Sequence, residues 1–242
     1  MRHSLIIASL ASVISSTVSA DFIGFEIGAY SWQQNYEGIV QSGTQEVDLT
    51  QQLGFDDETN NSYYLVFEHP VPVIPNLLIQ HTELDITASN PSANFTFDGI
   101  DFDTAIDTQS DLSHTDITLY YEVLDNWVSL DIGLTARSFE EGIKISSAID
   151  SAELDIDETL PMLYLSAEIE LPLTGLYISA DINAISYRGD GFSDYRINVG
   201  YESSLGLGAE LGYRSFDIDY EDEDEVADIT IDGAYLGVFY HF

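Results

Sequence analysis

The sequence contains no cysteine, and only six of its 242 residues are lysine or arginine. The absence of cysteine excludes disulfide frameworks, thiolate metal sites and cysteine nucleophiles. The six basic residues stand against 43 aspartates and glutamates, which gives a formal net charge of −37. A chain with so few cations cannot neutralise a phosphate backbone, so nucleic acid is excluded as a partner.

Long apolar runs are also missing beyond residue 20, so no transmembrane helix is expected. Hydrophobic residues nevertheless make up 45% of the chain. An acidic disordered chain would contain far fewer apolar residues. The sequence therefore predicts a folded protein that covers a large apolar surface.

The first twenty residues, MRHSLIIASLASVISSTVSA, have the organisation of a secretory signal peptide. Arg2 precedes an apolar stretch from Leu5 to Ile14, and small residues follow up to Ala20. The apolar stretch is too short to span a bilayer. We therefore predict cleavage after Ala20 and export of a single domain over residues 21–242. That domain is either a secreted soluble protein or a membrane β-barrel.

Apolar and polar residues alternate with period two in ten segments, which start near residues 22, 61, 76, 112, 127, 160, 175, 193, 205 and 227. In the last segment Leu236, Val238, Tyr240 and Phe242 share one apolar face, whereas glycine, aromatic and polar residues occupy the other. A tilted strand of about 9–11 residues crosses a bilayer, and the segments are long enough. The segment near residues 76–88 does not settle into one phase, so its facing stays open.

The connections between these segments alternate between long and short. Long connections are expected near residues 34–60, 89–111, 139–159, 188–192 and 221–225. Short turns are expected at residues 70–75, 124–126 and 172–174. Outer-membrane barrels have short periplasmic turns and longer extracellular loops. The sequence thus predicts an all-β fold, a closed antiparallel transmembrane β-barrel of about ten strands. The alternative is a soluble β-sandwich, which also has alternating strands.

Three stretches of the chain are distinctive: EHPVPVIPNLL at 68–78, LPMLYLSAEIELPLTGLYISADI at 160–182 and DGAYLGVFYHF at 232–242. They resemble a family of small outer-membrane β-barrel proteins of Gram-negative bacteria that has no assigned activity. The resemblance implies a barrel that is folded from the periplasm, with periplasmic chaperones and the barrel-assembly machinery as partners. It also implies a barrel-assembly signal in the C-terminal strand, formed by Leu236, Val238, Tyr240 and Phe242.

Charged residues lie on the strand face opposite the apolar one, which is the inward face of a barrel. We expect them to form a lumenal network of arginine–carboxylate pairs, because buried charges need partners. Such a network fills the narrow lumen of ten strands. Alternatively, it gates an ion path through the lumen or binds a substrate there. The predicted members are Arg137, Arg196, Arg214, Asp131, Glu168, Glu170, Asp181, Glu202 and Glu210.

The outward loops are strongly acidic, above all the last one. Carboxylates at this density can bind Ca²⁺ or Mg²⁺ weakly, although the spacing is not that of an EF-hand. Solvated loops are the simpler interpretation, and no other cofactor is expected. The possible cation loop consists of Asp217, Asp219, Glu221, Asp222, Glu223, Asp224 and Glu225.

His114, with Ser113 and Asp116 nearby, is the candidate site for a hydrolase at the barrel rim. Neighbours on a strand point to opposite faces, so adjacency does not indicate a triad, and no catalytic residue is assigned. The expected function is a structural or surface-interaction role in the outer membrane, in contact with its lipid and lipopolysaccharide. The alternatives are a narrow cation-preferring channel and a rim hydrolase acting on lipid or peptide.

Overall fold

The computed structural model describes residues 23–139, 142–155, 159–187, 189–222 and 225–242. The predicted signal peptide, residues 1–20, lies outside them. Within these ranges no helix is long and apolar enough to cross a membrane. The regular structure consists of β1 (Gly24–Ser42), β2 (Glu46–Asp48), β3 (Glu58–Glu68), β4 (Asn76–Thr82), β5 (Asp85–Asn90), β6 (Phe95–Phe97), β7 (Ile100–Phe102), β8 (Ile106–Asp111), β9 (His114–Leu124), β10 (Val128–Phe139), β11 (Gly142–Ser147), β12 (Ser151–Asp155), β13 (Thr159–Leu171), β14 (Leu176–Tyr187), β15 (Asp190–Glu202), β16 (Leu207–Asp222) and β17 (Glu225–His241).

Ten of these strands form one closed antiparallel barrel, in the order β1, β3, β4, β9, β10, β13, β14, β15, β16 and β17. Closure comes from the first and last strands, which pair from Glu26↔His241 to Ser42↔Glu225. The other edge of β1 pairs with β3, and β2 adds to β1 beyond the end of β3. The predicted closed barrel of ten strands is thus confirmed, and the sandwich alternative is wrong.

An apolar band runs round the outward face of the barrel. On β17 the exposed fractions are 63% for Leu236, 59% for Val238 and 44% for Tyr240, whereas Tyr235 and Phe239 on the opposite face are buried. A soluble monomer rarely exposes so large a contiguous apolar surface. The alternation therefore places apolar residues toward lipid and the other face toward the lumen, as a membrane barrel requires.

The band ends abruptly where the outward residues of the strands become acidic. On β16 the outward series passes from Leu211 and Tyr213 to Asp217 and Asp219. At this boundary the Tyr213 hydroxyl donates a hydrogen bond to Asp232 Oδ2 on β17, at 2.6 Å. Strands β16 and β17 continue past the boundary, so their outer parts stand clear of the apolar band.

The two ends of the barrel differ in their connections. Short connections at residues 69–75, 125–127, 172–175 and 203–206 lie at one end, together with the C-terminus, and we call this the turn end. The remaining connections lie at the opposite end, which we call the loop end. This asymmetry agrees with the predicted alternation of short and long connections.

The loop end contains more β structure than the sequence analysis predicts. The prediction of a connection at 34–60 is wrong over its first part, because β1 continues to Ser42. In this added part of the strand, Tyr36 and Val40 point into an apolar core. The connections at 89–111 and 139–159 are not plain loops either. They contribute β8, β11 and β12 to a four-stranded sheet, which β5 completes, and β6 and β7 to a hairpin.

An apolar core fills the barrel at the loop end and continues into the four-stranded sheet there. Its members come from the extended barrel strands as well as from the small sheet and the hairpin. Burial of such side chains stabilises a fold by about 1.5–3 kcal/mol each, so this end is packed like a soluble domain. The largest fully buried apolar members include Trp32, Leu49, Leu53, Leu84, Phe97, Phe102, Ile145 and Phe216.

The facing of the strand near residues 76–88, left open by the sequence, is settled in β4. Asn76, Gln80 and Thr82 are buried toward the lumen, whereas His81 is exposed on the outward face. The strand ends at Thr82, and the chain then enters the loop-end sheet. The mixed apolar pattern arises because Leu78 also faces the lumen, where it lines a cavity.

Ile197 lies on the outward face of β15 between the exposed Tyr195 and Tyr201, near the middle of the apolar band. We expect Ile197→Lys to lower the free energy of unfolding in lipid vesicles by about 2–4 kcal/mol, because a charge then faces hydrocarbon. Urea unfolding followed by tryptophan fluorescence measures the change. The matched control is Glu37→Lys on β1, beyond the band, which should have little effect. Equal losses in both variants would show that the band does not face lipid.

Candidate functional site

A buried ion network crosses the lumen between β9, β10, β15 and β16. Asp194 lies between two arginines, and its Oδ2 accepts hydrogen bonds from Nη2 of Arg137 and Nη2 of Arg214, both at 2.6 Å. Arg137 also binds Asp116 through Nε at 2.8 Å and Nη2 at 2.6 Å. Both arginine side chains are 0% exposed. Two guanidinium groups thus face two carboxylates, and this balance is what burial of charge demands.

Strand register brings these four side chains together. Arg137 and Asp116 lie directly opposite each other on β10 and β9. On β15 and β16, Asp194 and Arg214 lie on a diagonal, and Arg214 Nε binds the second carboxylate oxygen, Oδ1, at 2.8 Å. The two strand pairs belong to different parts of the ring, so the ion pairs reach across the lumen rather than along its wall.

Arg214 extends the network to two further strands. Its Nη1 donates to the Tyr30 hydroxyl of β1 at 2.7 Å and to Thr82 Oγ1 of β4 at 3.1 Å. Its guanidinium carbon lies 4.7 Å from the centroid of the Trp32 ring, a cation–π distance. Arg214 therefore connects the ion pairs to the strand that closes the barrel.

His114 lies on the loop-end side of this network. Its ring stacks on Phe216, with centroids 5.7 Å apart, and also contacts Phe139. Its Nδ1 lies 2.9 Å from the carbonyl oxygen of Leu112, and the residue is only 1% exposed. A substrate at the rim does not reach this side chain, so its position does not support the rim-hydrolase alternative.

The same histidine belongs to a compact group of potential metal ligands. Among the described residues, His114, Asp116 and Asp194 are the set whose ligand atoms lie within 4.8 Å of one another. Arg137 and Arg214 already occupy the carboxylate oxygens as hydrogen-bond donors. Two fixed cations at the site disfavour a third, so we assign no metal to this cluster.

On the turn-end side of the network the lumen widens into a cavity of about 940 Å³. The turn residues Pro70, Asn126, Pro172 and Ser204 form part of its lining, so its mouth opens at the turn end. Beside Asp194, a separate space measures only about 10 Å³, roughly the room for one water molecule. The described residues therefore form a blind cavity that the ion network and the apolar core close.

Carboxylates dominate the wall of this cavity. Ten acidic residues line it, against a single arginine, Arg196. Two of the acids accept hydrogen bonds from tyrosines: Glu26 from Tyr64 at 2.9 Å, and Glu68 from Tyr120 at 2.7 Å. The acidic lining residues are Glu26, Glu68, Glu122, Asp125, Asp131, Glu168, Glu170, Asp181, Glu202 and Glu210.

The structure brings together only part of the network expected from the sequence. Arg196 Nε binds Asp181 Oδ1 at 3.0 Å. Arg137 and Arg214 face the lumen, but their partners are Asp116 and Asp194 instead of the expected carboxylates. The expected pairing with arginine does not extend to five acids that line the cavity instead: Asp131, Glu168, Glu170, Glu202 and Glu210.

The two partners that the sequence analysis missed occupy ordinary inward positions. Asp116 alternates with outward residues between His114 and Thr118 on β9, and Asp194 precedes Arg196 by two on β15. The period-two pattern, extended to the first residues of both strands, places both carboxylates in the lumen. It does not indicate which arginine each one meets, since that depends on register across the ring.

The acidic segment at the end of β16 does not form a compact cation site in the described residues. Asp217 accepts hydrogen bonds from Ser215 Oγ at 3.1 Å and Thr230 Oγ1 at 2.9 Å. Asp219 and Glu221 follow on the strand, whereas Glu223 and Asp224 lie outside the described residues. The described carboxylates here do not gather in threes within 4.8 Å.

Like charges also meet in the loop-end sheet. Asp85 of β5 lies opposite Asp111 of β8. Burial of the Asp85 carboxyl, and then the neighbouring charge of Asp111, raise its pKa above the ordinary aspartate value. The loop end therefore carries repulsion that a nearby cation would relieve.

No family model matches this sequence, and no curated protein matches it. Among solved structures, the barrel is similar to the outer membrane protease OmpT from Escherichia coli, with a TM-score of 0.52, 10% identity, and coverage of 93% of this chain and 98% of that one. The fold is that of an outer-membrane β-barrel. Ail, the attachment invasion locus protein of Yersinia pestis, is also similar, with a TM-score of 0.34, 12% identity, and coverage of 91% and 99%. Neisserial surface protein A is similar as well, with a TM-score of 0.34, 12% identity, and coverage of 90% of this chain and 97% of that one.

Removing Asp194 tests the importance of the ion network. We expect Asp194→Ala to lower the free energy of unfolding by about 3–5 kcal/mol, because two buried guanidinium groups lose their shared partner. Urea unfolding followed by tryptophan fluorescence measures the loss, since Trp32 contacts Arg214. Asp181→Ala is the matched control, since its partner Arg196 lines the cavity and keeps 16% exposure. A similar, small loss in both variants would contradict a special role for Asp194.

Proposed function

We propose that this chain is an integral protein of the bacterial outer membrane, exported by residues 1–20 and inserted with its turn end in the periplasm. The apolar band and the outer-membrane barrel fold support this location. The asymmetry between short turns and long connections supports the orientation. The acidic boundary at Tyr213 and Asp232 supports a fixed depth in the membrane, because carboxylates do not enter hydrocarbon.

The role that the geometry supports best is a structural or surface-interaction role, with the folded loop end presented at the cell surface. The observation that carries this proposal is the closure of the lumen by Arg137, Arg214, Asp116 and Asp194 under the apolar core. A passive pore needs a continuous aqueous path. Side chains occupy that path in the loop-end half of the barrel.

Partners follow from this placement. Outer-membrane lipid would contact the apolar band, and lipopolysaccharide with its divalent cations would lie beside the acidic loop end. Periplasmic chaperones and the barrel-assembly machinery would handle the unfolded chain. The outward residues Leu236, Val238, Tyr240 and Phe242 remain our proposal for the assembly signal.

Two other functions have less support. OmpT is a protease, but the similarity to it concerns the fold alone, and the burial of His114 argues against hydrolysis there, so we propose a non-enzymatic role. A narrow cation-preferring channel is favoured by the acidic cavity. It would require the ion network to open a path past Asp194.

Two measurements on one detergent preparation test the proposal. We expect unheated and boiled samples to migrate differently in gel electrophoresis, because a closed barrel resists unfolding by detergent. The same preparation should give no discrete openings in a planar bilayer, since the lumen is closed. Absence of a heat shift, with solubility in plain buffer, would overturn the membrane location. Cation-selective openings would favour the channel instead.

A further inference from the structure

Each of the four short connections at the turn end carries a strongly exposed apolar side chain. The exposed fractions are 82% for Val73, 62% for Trp127, 106% for Leu173 and 81% for Leu205, and we call these four residues the turn tips. Single exposed apolar residues are ordinary on a protein surface, but turns normally consist of glycine, proline, asparagine, aspartate and serine. An apolar residue repeated in all four connections therefore indicates an apolar partner outside the chain.

The backbone of Leu173 gives a second reason to look for such a partner. Its φ angle is 69°, in the left-handed region that asparagine or glycine adopts at lower cost than leucine. The side chain is fully exposed, so packing within the chain does not offset this strain. Contact with another apolar molecule would stabilise leucine at this position.

Two contacts join the turn end to the apolar band. The hydroxyl of Tyr121, an outward residue of β9, donates a hydrogen bond to the carbonyl oxygen of Val73 at 3.1 Å. At the C-terminus the Phe242 ring stacks on Tyr240 of the band, with centroids 5.5 Å apart. Because the band faces lipid, these contacts extend a lipid-facing surface onto the turn end.

The charges of the turn end lie on the cavity side of this surface. The titratable residues of the four connections are His69 and Asp125, and both line the cavity. Glu170 and Glu202, next to the other two connections, line it as well. At the loop end, by contrast, Asp217 follows the band on the outward face of β16. Hydrocarbon accepts apolar side chains but not carboxylates, so the turn end is suited to immersion and the loop end is not.

We propose that the turn tips insert into the periplasmic leaflet of the membrane, where they contact phospholipid acyl chains just below the headgroups. This inference rests on the proposed membrane location and adds a depth to it. Trp127 then lies at the membrane–water interface, where tryptophan is enriched in membrane proteins. Pro70 and Pro172 belong to the same connections and line the cavity. The mouth of the cavity therefore opens among hydrated lipid headgroups instead of protruding beyond them.

Quenching of tryptophan fluorescence by phospholipids with brominated acyl chains tests the depth of Trp127. The chain contains two tryptophans, and Trp32 is 0% exposed in the core, so bromine should act mainly on Trp127. We expect the protein folded in vesicles to lose a larger fraction of its fluorescence than Trp127→Phe does. The loss should be greatest with bromine near the headgroup. Equal fractional losses in the two proteins would overturn the proposal and favour a periplasmic protein as the partner.

The variant Trp127→Phe, Ile197→Trp distinguishes this outcome from failure of the membrane location. Ile197 lies on the outward face near the middle of the band, so this variant should be quenched best by bromine deep in the acyl chains. Quenching at position 197 but not at position 127 would overturn the insertion of the turn tips alone. Absence of quenching at both positions, with a retained heat shift, would overturn the membrane location as well.

Leu173→Asn gives an independent readout, because water and lipid predict different signs. Asparagine adopts the left-handed conformation more readily, so in water the substitution should raise the urea midpoint of unfolding or leave it unchanged. In the leaflet a polar side chain replaces an apolar one, and we expect the midpoint in phospholipid vesicles to fall. The matched control is Ile149→Asn at the loop end, where an 84% exposed side chain lies outside the band. A raised midpoint for Leu173→Asn, or equal falls in both variants, would contradict the proposal.

Discussion

The contact of Asp194 with both Arg137 and Arg214 is the interaction on which the lumen depends. A guanidinium buried in a barrel lumen is costly to leave unpaired, so each of these side chains fixes the position of the other two. The contact also divides the interior into chemically different halves. The loop-end half is packed with aromatic and aliphatic side chains, whereas the turn-end half is an acidic, water-accessible cavity.

This division explains why a narrow barrel combines features of two protein classes. Around the apolar band the chain follows the rules of a membrane barrel, with lipid outside and charge inside. Beyond Tyr213 it follows those of a soluble β protein, with acids outside and a core that includes Phe97, Phe102 and Ile145. The ion network lies between the two environments. It fills the part of the lumen between the apolar core and the water-accessible cavity.

The sequence specifies the barrel strands well because period two is a local property. The outward positions of Ile197 and Leu236, and the short turns, can be read from neighbouring residues. The loop end is harder to predict, because Tyr36 and Val40 become core residues only through contacts with strands that are distant in the sequence. The partners of Arg137 depend on register round the closed ring, and whether Glu168 is paired or solvated depends on how completely the lumen is filled. Neither property is local.

The pairing of β1 with β17 has a consequence for the order of assembly. Glu26 meets His241, so the ring closes through the two most distant parts of the domain, and contacts of such large separation form slowly. Until β17 arrives, β1 and β16 each keep an unpaired edge, which invites association with other chains. Completion of the barrel must therefore wait for the last residues of the chain, and the growing sheet needs shielding until then.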